Sequence, residues 1–427
     1  MEFAPTLQIV VVMGALLVIG VPIAYCLAGA SIFFLYMHDV PLTILVQRTV
    51  SGAQSYQILA IPLFILAGSL MNESGISERL FALTRALVGH IRGGLGHVNV
   101  VSNFLMAGIS GSSLADAAAT TRIFVPQMVN AGYDKPFCVA LTASTATLGP
   151  IVPPSVLMIV YGWQASSSIG DLFIGGILPG LLIGVSLMLA VAVVAWRRQY
   201  PKDEAFSRQR LMIAFKESIW ALFMPVLIVV GFRLGVFTAT EVAAAAAAYA
   251  LVVGLFVYRT LSWGQLPRVF RTTVKETAAI LIIVGTSTPF GWAMSVAQAP
   301  QAMLEFTTGI STTPWVVMLV LNVFLLILGC FMETISVMII LIPILLPLLK
   351  TMQIDLVHFG IIMIFNLLIG QLTPPLGVLM FLTCSIARLS IGDFLRASGP
   401  FFAALFFALA IITYVPSVTL FLPHLFK

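Results

Sequence analysis

Apolar residues run along this chain in long blocks separated by short polar stretches, and the lengths of those blocks set the first expectations. A helix crosses the hydrocarbon of a bilayer with about 20 apolar residues. Unbroken blocks of that kind cover 5–37, 56–72, 172–196, 218–234, 238–258, 276–298 and 399–423, and each predicts a crossing. Four further blocks are apolar but punctuated. Residues 95–130 break at Gly108 to Ser113, and 137–164 break at Gly149 to Pro154. Residues 314–350 break near Gly329 to Thr334, and 355–386 break at Gly370 to Pro375. Glycine and proline remove helical backbone bonds. Inside a bilayer the freed groups are tolerated only where protein, ion or water satisfies them.

The breaks come in pairs. An offset of 221 (329 − 108) lays Gly108 on Gly329, Pro126 on Pro347 and Asp134 on Asp355. It also lays Gly149 on Gly370, and Pro153-Pro154 on Pro374-Pro375. Ser168-Ile-Gly-Asp171 recurs as Ser390-Ile-Gly-Asp393, one residue further on. The matches fall on residues that punctuate the backbone, which is the mark of an internal repeat. The expected fold is an all-α integral membrane protein of two inverted repeats, each with a re-entrant helical hairpin and a broken helix. The first repeat takes 1–196, with hairpin 95–130 and broken helix 137–164. A basic loop and linking crossing take 197–237. The second repeat takes 238–427, with hairpin 314–350 and broken helix 355–386.

Composition agrees with the block pattern. Hydrophobic residues make up 60% of the 427 and charged residues 9%, against about 25% charged in soluble domains. The mean hydropathy is +1.08. The net charge of +5 lies in short loops, so it speaks of orientation in a membrane and against nucleic acid. The loop 197–217 holds six Lys and Arg, from Arg197 to Lys216, and is expected in the cytoplasm. The stretches 73–94 and 259–275 follow it inside, while 165–171 and 299–313, without Lys or Arg, fall outside. Arg48 is the exception, a cation on the outer side. The count closes with hairpin one opening from the cytoplasm and hairpin two from outside. It places the N-terminus in the cytoplasm and the C-terminus on the outer side. The block from Met1 to Tyr36 lacks a basic n-region and outlasts a signal peptide's apolar run, so it is expected to remain as an anchor.

Inverted repeats with discontinuous helices suit a secondary transporter with its site near the midplane. Half-helix N-termini carry about half a positive charge and suit a carboxylate; unwound carbonyls suit a cation. No Gly-x-x-x-x-Gly-Lys-Ser/Thr, His-Glu-x-x-His or Gly-x-Ser-x-Gly occurs, which argues against nucleotide hydrolysis and against a zinc or serine enzyme. The four cysteines are separate and lie in apolar stretches, which reads as packing, and the histidines lack metal spacing.

At its break motifs the chain resembles the large membrane subunit of TRAP transporters (tripartite ATP-independent periplasmic). The resemblance rests on Gly108-Ile-Ser-Gly-Ser-Ser113, Gly149-Pro-Ile-Val-Pro-Pro-Ser155 and Gly370-Gln-Leu-Thr-Pro-Pro-Leu-Gly377, with Ala60-Ile-Pro-Leu-Phe64 and Phe237-Thr-Ala-Thr-Glu241, in order along the chain. It implies sodium-coupled uptake of a small organic acid anion (a C4-dicarboxylate, a sugar acid or similar) by an elevator mechanism. It further implies a small four-helix membrane subunit and a periplasmic substrate-binding protein as partners, and a place in a bacterial or archaeal cytoplasmic (inner) membrane with the C-terminus in the periplasm. Sodium ions are the implied coupling ions, and no organic cofactor is expected. By position, the first sodium site uses Ala107, Ser110, Gly149, Val152 and Pro154. The second uses Gly329, Phe331, Gly370, Thr373 and Leu376. Two residues depart from the family pattern: Ala107 stands where serine is common, and Glu333 where aspartate is common. A related build without a binding protein, a sodium-driven dicarboxylate or citrate symporter, is the alternative.

Several polar residues near the breaks are candidates for substrate contact. Asp116 follows the first hairpin tip, and Arg122 lies six positions on, on a different face of the helix. Arg122 has two readings, attraction of an anion or extension toward the hairpin opening. Glu333 either faces the site or caps a half-helix. Asn366, Gln371 and Thr145 (which the repeat lays on Asn366) either line the substrate cavity or hold helices together. Ser112 and Ser113 are expected to cap the returning helix and to face substrate. The amphipathic segments 74–90 and 262–275 are expected along the cytoplasmic interface as connecting arms.

Overall fold

The computed structural model describes residues 4–203, 205–233 and 237–426; the side chains of Ala4, Ile109, Ser110 and Arg233 lie outside that description. The described residues contain no β-strand, and eight of their helices are long and apolar enough to cross a bilayer.

The first apolar block is two helices, α1 (Ala4–Val18) and α2 (Ile23–Met37), where a single crossing was predicted. Gly20 turns with φ +88°, and the Val21 N–H bonds back to the Leu16 carbonyl. Pro22 has no N–H to continue a helix. The chain folds back, so that Leu16 meets Gly29. The Thr6 hydroxyl then donates to the Ala297 carbonyl at 2.6 Å, beside the stretch expected outside. A cytoplasmic N-terminus and an outer 299–313 therefore cannot both hold, and the cytoplasmic placement loses the single crossing on which it was counted.

Next come α3 (Thr43–Ala53), which the block pattern missed, α4 (Ala60–Glu73) and the amphipathic α5 (Ile76–Val88). Hairpin one is α6 (Gly94–Ser110) and α7 (Ser113–Asn130); the first broken helix is α8 (Lys135–Thr145) and α9 (Val156–Ala165). A long α10 (Ile169–Arg197) leads to α11 (Arg208–Arg233) and α12 (Ala239–Val252). Thr238 and Glu241 form a reciprocal capping box at the start of α12, which fixes where that crossing begins.

The segment 262–275 was expected to lie apart from the crossing that follows it. The two are instead one helix, α13 (Leu266–Val296). Pro267 suits a first turn, and no glycine or proline follows until Gly285, so nothing stops the helix. After α14 (Ala299–Ile310), hairpin two is α15 (Pro314–Phe331) and α16 (Thr334–Thr351). The second broken helix is α17 (Leu356–Gly370) and α18 (Val378–Ala387). The last apolar block starts earlier than predicted, where Ser390 caps α19 (Ile391–Tyr414) through the Asp393 N–H. It also divides, at Pro416, into α19 and α20 (Ser417–Leu425).

Packing between the halves is reciprocal. Helix α7 packs on α18, and its counterpart α16 packs on α9. Likewise α8 meets α19 while α17 meets α10, and the equivalent helices α10 and α19 pack on each other. Outside this group, α2 packs on α13 and α12 on α4. The offset of 221 carries α2 onto 244–258 and α4 onto 281–294, so this pair is reciprocal too. Contacts in which i meets j and j meets i are what a two-fold relation produces. The same offset carries α1 onto 225–239, a range that overlaps only the end of α11, within the segment expected to link the two repeats.

Candidate functional site

Each hairpin tip sits against the break of its own half. Gly111 ends α6 with φ +60°, and a Cβ there would lie 2.6 Å from the Pro154 carbonyl oxygen. A Cβ on Gly149 would lie 2.6 Å from Asp116 Oδ2 and 3.4 Å from the Ser112 carbonyl carbon. In the second half, Gly329 and Gly370 touch backbone to backbone, a Cβ on Gly370 reaching 2.6 Å from Gly329 Cα. The Cys330 carbonyl accepts from the N–H groups of Leu376 and Gly377, each at 3.2 Å. Only glycine permits such approach. The Pro153-Pro154 and Pro374-Pro375 peptides are both cis.

The four loops open on one cavity of about 660 Å³. Its lining includes Ser113, Val156, Thr334 and Val378, the first residues of α7, α9, α16 and α18. Four helix N-termini therefore share one space. Each contributes roughly half a positive charge that suits an anion, although Ser112, Ser155, Glu333 and the Gln371 carbonyl already take N–H groups of α7, α9, α16 and α18. Gln371 also lines the cavity; it is 1% exposed and donates through Nε2 to Thr334 Oγ1 at 2.8 Å. Its Oε1 has no hydrogen-bond partner, an acceptor available to a bound hydroxyl. The far wall comes from α4 and α13, through Ser69, Asn72 and Glu276. Sequence reasoning missed these three, because nothing local marks them and only packing brings α4 and α13 to the breaks.

The candidate substrate residues divide. Ser112, Ser113, Glu333 and Gln371 line the cavity. Ser112 Oγ accepts from the Ala115 N–H, capping α7 as expected. Glu333 Oε2 accepts from the N–H groups of Ile335 at 3.0 Å and Ser336 at 3.3 Å, so it caps α16 while standing on the cavity wall. Asp116 is buried under the first break beside Gly149 and does not line the cavity. Arg122 is exposed on α7 and is not part of the lining. That lining holds two carboxylates, Glu276 and Glu333, and no Lys or Arg among the described residues, so attraction of an anion falls to helix termini and neutral donors.

Thr145 and Asn366 are helix-to-helix bonds and not cavity groups. Thr145 Oγ1 donates to Asn99 Oδ1 at 3.0 Å, and Asn99 donates to Thr142 at 2.7 Å. Asn366 Nδ2 donates to Asn322 Oδ1 at 2.6 Å, and Asn322 donates to Thr413 at 3.2 Å. Both clusters tie the entering arm of a hairpin to the first half of a broken helix, where hydrogen bonds add to packing.

Of the first set of cation-site candidates, Ala107, Gly149, Val152 and Pro154 are buried at the junction of tip and break. The side-chain assignment for Ser110 lies outside the described residues. In the second set, Gly329 and Gly370 are in contact, and Thr373 Oγ1 donates to the Ile369 carbonyl at 3.0 Å. Phe331 and Leu376 turn half-exposed side chains outward, so only their backbone oxygens could serve. Hard cations take oxygen ligands, and the junctions offer mainly carbonyls.

Charged contacts brace the base of hairpin one. Arg85 holds Asp203 through Nε and Nη2 at 2.6 and 2.9 Å. Tyr200 and Arg198 both donate to Asp134 Oδ2, at 2.7 and 2.6 Å. The Tyr200 hydroxyl, with Arg198 beside it, holds the Asp134 carboxyl below the usual carboxylate range. Burial pushes the Tyr200 phenol up to about 12.

Residues 10–418 match the family model described as tripartite ATP-independent periplasmic transporter, DctM component. The chain is 37% identical over 412 residues to the sialic acid TRAP transporter large permease protein SiaM of Vibrio cholerae, covering 96% of each. It is 37% identical to the 2,3-diketo-L-gulonate TRAP transporter large permease protein YiaN of Escherichia coli, over 96% of this chain and 98% of that one. It is also 37% identical to the C4-dicarboxylate TRAP transporter large permease protein DctM of Pseudomonas aeruginosa, over 93% of each. Among solved structures, the YdaH transporter of Alcanivorax borkumensis superposes with a TM-score of 0.62 over 87% of each chain at 14% identity, a likeness of fold alone.

Proposed function

The chain belongs to the DctM-component family of tripartite ATP-independent periplasmic transporters, and from that premise we propose that it carries a small organic acid anion inward across the inner membrane, coupled to sodium. The observation that carries this reading is the meeting of four helix N-termini on one cavity. The anion's carboxylate lies against those termini, with Ser112, Ser113, Thr334 and Gln371 as neutral partners. Sodium lies at the two junctions of tip and break, held by carbonyls of Ala107, Gly149, Val152 and Pro154 in one, and of Gly329, Phe331, Gly370 and Leu376 with Thr373 in the other. The ions supply the positive charge that the lining lacks, and they offset Glu276 and Glu333 nearby. That is a physical reason for substrate and cation to bind together.

Sugar acids and C4-dicarboxylates, which the relatives' names give as their cargo, set the substrate class. The partners in this reading are a small four-helix membrane subunit and a periplasmic binding protein that delivers the anion. Reciprocal packing of the halves supports two inverted repeats. The cavity lies between α7, α9, α16 and α18 on one side and α4 and α13 on the other. An elevator movement of the hairpins and broken helices past α4 and α13 would carry it across. With loop 197–207 in the cytoplasm, the five crossings α11, α12, α13, α17–α18 and α19 would leave the C-terminus outside, and the fold-back of α1 supports an outer N-terminus too.

The test is uptake of radiolabelled sialic acid, 2,3-diketo-L-gulonate and succinate into proteoliposomes holding this chain with its small subunit. It is run with and without an inward sodium gradient and with and without the binding protein. Uptake that needs both supports the reading. Sodium-driven uptake without a binding protein replaces it with a self-sufficient dicarboxylate or citrate symporter.

A further inference from the structure

A second cavity, of about 390 Å³, opens further along the same helices. Residues 276–280 of α13 line the first cavity, and residues 287–295 line the second. From Glu276 to Gly291 is about 22 Å along the helix axis, at about 1.5 Å per residue. Helices α9 and α16 also run from one cavity to the other, through Val156 and Gln164, and through Thr334 and Pro343. The two cavities are thus opposite ends of one seam between the hairpin-bearing helices and α13.

The second cavity is built differently. Its charged group is a cation, Arg48 of α3, the residue that breaks the inside-positive pattern of the loops. The Arg48 guanidinium lies 5.8 Å from the centroid of the Trp292 ring. No carboxylate stands within ion-pair distance of it among the described residues. Trp163 gives a second aromatic wall. Gln164 donates through Nε2 to the Ile339 carbonyl at 2.7 Å, which fixes its amide and leaves Oε1 buried without a partner. An exposed cation over one indole, a second indole in the wall and a buried, unpartnered acceptor form a complementary set. The cation meets a carboxylate, the acceptor meets a hydroxyl, and the indoles pack against a carbon skeleton.

We propose that this cavity is a binding site for a small hydroxylated carboxylic acid on the face opposite the cytoplasmic loop, where Arg48 takes the carboxylate and Gln164 a hydroxyl before the anion reaches the first cavity. The proposal rests on the transport reading for its direction, but the binding itself can be measured without transport. Ser295 is exposed at the cavity's edge, whereas all four native cysteines are buried. In phosphatidylcholine proteoliposomes, Ser295→Cys is labelled with a membrane-impermeant maleimide while sialic acid, 2,3-diketo-L-gulonate or succinate is titrated in. The hydroxylated acids should slow labelling at least fivefold and succinate much less. A reporter on the same face, Thr312→Cys, should be unaffected. Adding Arg48→Gln should raise the half-protecting concentration at least tenfold, and Arg48→Lys should keep most of the protection.

An unliganded labelling rate equal to that of Ser295→Cys alone shows that the double variant is folded. The proposal is overturned by absence of protection, by protection that survives Arg48→Gln, by equal protection at Thr312→Cys, or by succinate protecting as well as the hydroxylated acids. It is also overturned if phosphatidylglycerol, at about a fifth of the lipid, slows labelling with no solute present, since the occupant is then a lipid headgroup. Protection without any uptake would leave this site standing and remove the transport reading, so the two failures are distinct.

Discussion

Replacing Gly370 by alanine tests the contact on which the second junction depends. The added Cβ would lie 2.6 Å from both Cα and C of Gly329 and 3.0 Å from the Cys330 nitrogen. All three are backbone atoms, so no side chain can swing aside. Ordinary contact begins near 3.4 Å, so the tip of hairpin two must retreat by about 0.8 Å (3.4 − 2.6). The two N–H bonds to the Cys330 carbonyl, now 3.2 Å, would then stretch to about 4 Å, beyond hydrogen-bonding range. Losing two such bonds costs about 2 kcal/mol, in line with about 1–3 kcal/mol for overpacking. The helix propensity gained over glycine returns at most about 1 kcal/mol.

If sodium binding needs tip and break in register, a net loss of about 1 kcal/mol (2 − 1) raises the half-saturating sodium concentration about fivefold. The assay is sodium-dependent uptake beside a thermal melt of the purified protein. Gly309→Ala is the control, because a Cβ there meets nothing within 4 Å. A Gly370→Ala protein that matches Gly309→Ala in melt and in sodium dependence would refute the reasoning. Gly149→Ala should fall between them, since its Cβ meets the terminal oxygen of Asp116, which can rotate.

Glu333→Ala should lower the melting temperature by removing a cap worth about 1 kcal/mol, whereas Glu333→Asn keeps an acceptor and should melt near the native value. Equal losses in the two variants would mean that the charge, and not the cap, matters. Asn366→Leu should reduce thermal stability while leaving the substrate half-saturation of the surviving protein unchanged, and Gln371→Ala should do the reverse; exchanged phenotypes would return Asn366 to the cavity. Arg122→Gln should keep the substrate half-saturation within about twofold, because a screened surface charge contributes little, and a tenfold rise would restore Arg122 as an anion contact. The Asp134 carboxyl is held low by Tyr200 and Arg198. Its contribution to stability is therefore present above the ordinary carboxylate pKa and fades as pH falls through the depressed value, below about pH 4. Native protein should lose melting temperature faster than Asp134→Asn across that window, and parallel curves would show that the cluster is not coupled to folding.

The sequence by itself determined the membrane class, the four interruptions of the apolar blocks and the cap at Ser112, while it left Glu333 open between cap and site. Those features are written in local chemistry. Clustered glycine and proline, as at Gly149-Pro150 with Pro153-Pro154 and at Gly370 with Pro374-Pro375, interrupt a helix where single prolines such as Pro126 and Pro289 do not, and Ser112, Glu333 and Ser390 bond amides within three residues of themselves. The tertiary structure alone decided which polar groups face the cavity. In a soluble helix the polar face marks the outside, but here lipid-facing and protein-facing surfaces are both apolar, so periodicity gives no inward direction. Thr145 and Asn366 therefore looked as eligible as Gln371, until packing turned the first two into braces and left only Gln371 on the cavity wall. Ser69, Asn72 and Glu276 were invisible for the same reason, since their place depends on α4 and α13 meeting breaks far away in the chain. The fold-back of α1 on α2 escaped too, because one positive-φ glycine and a proline in a continuous apolar block also fit a kinked crossing. The packing of α1 on α2, with Leu16 against Gly29, distinguishes a hairpin from a kink.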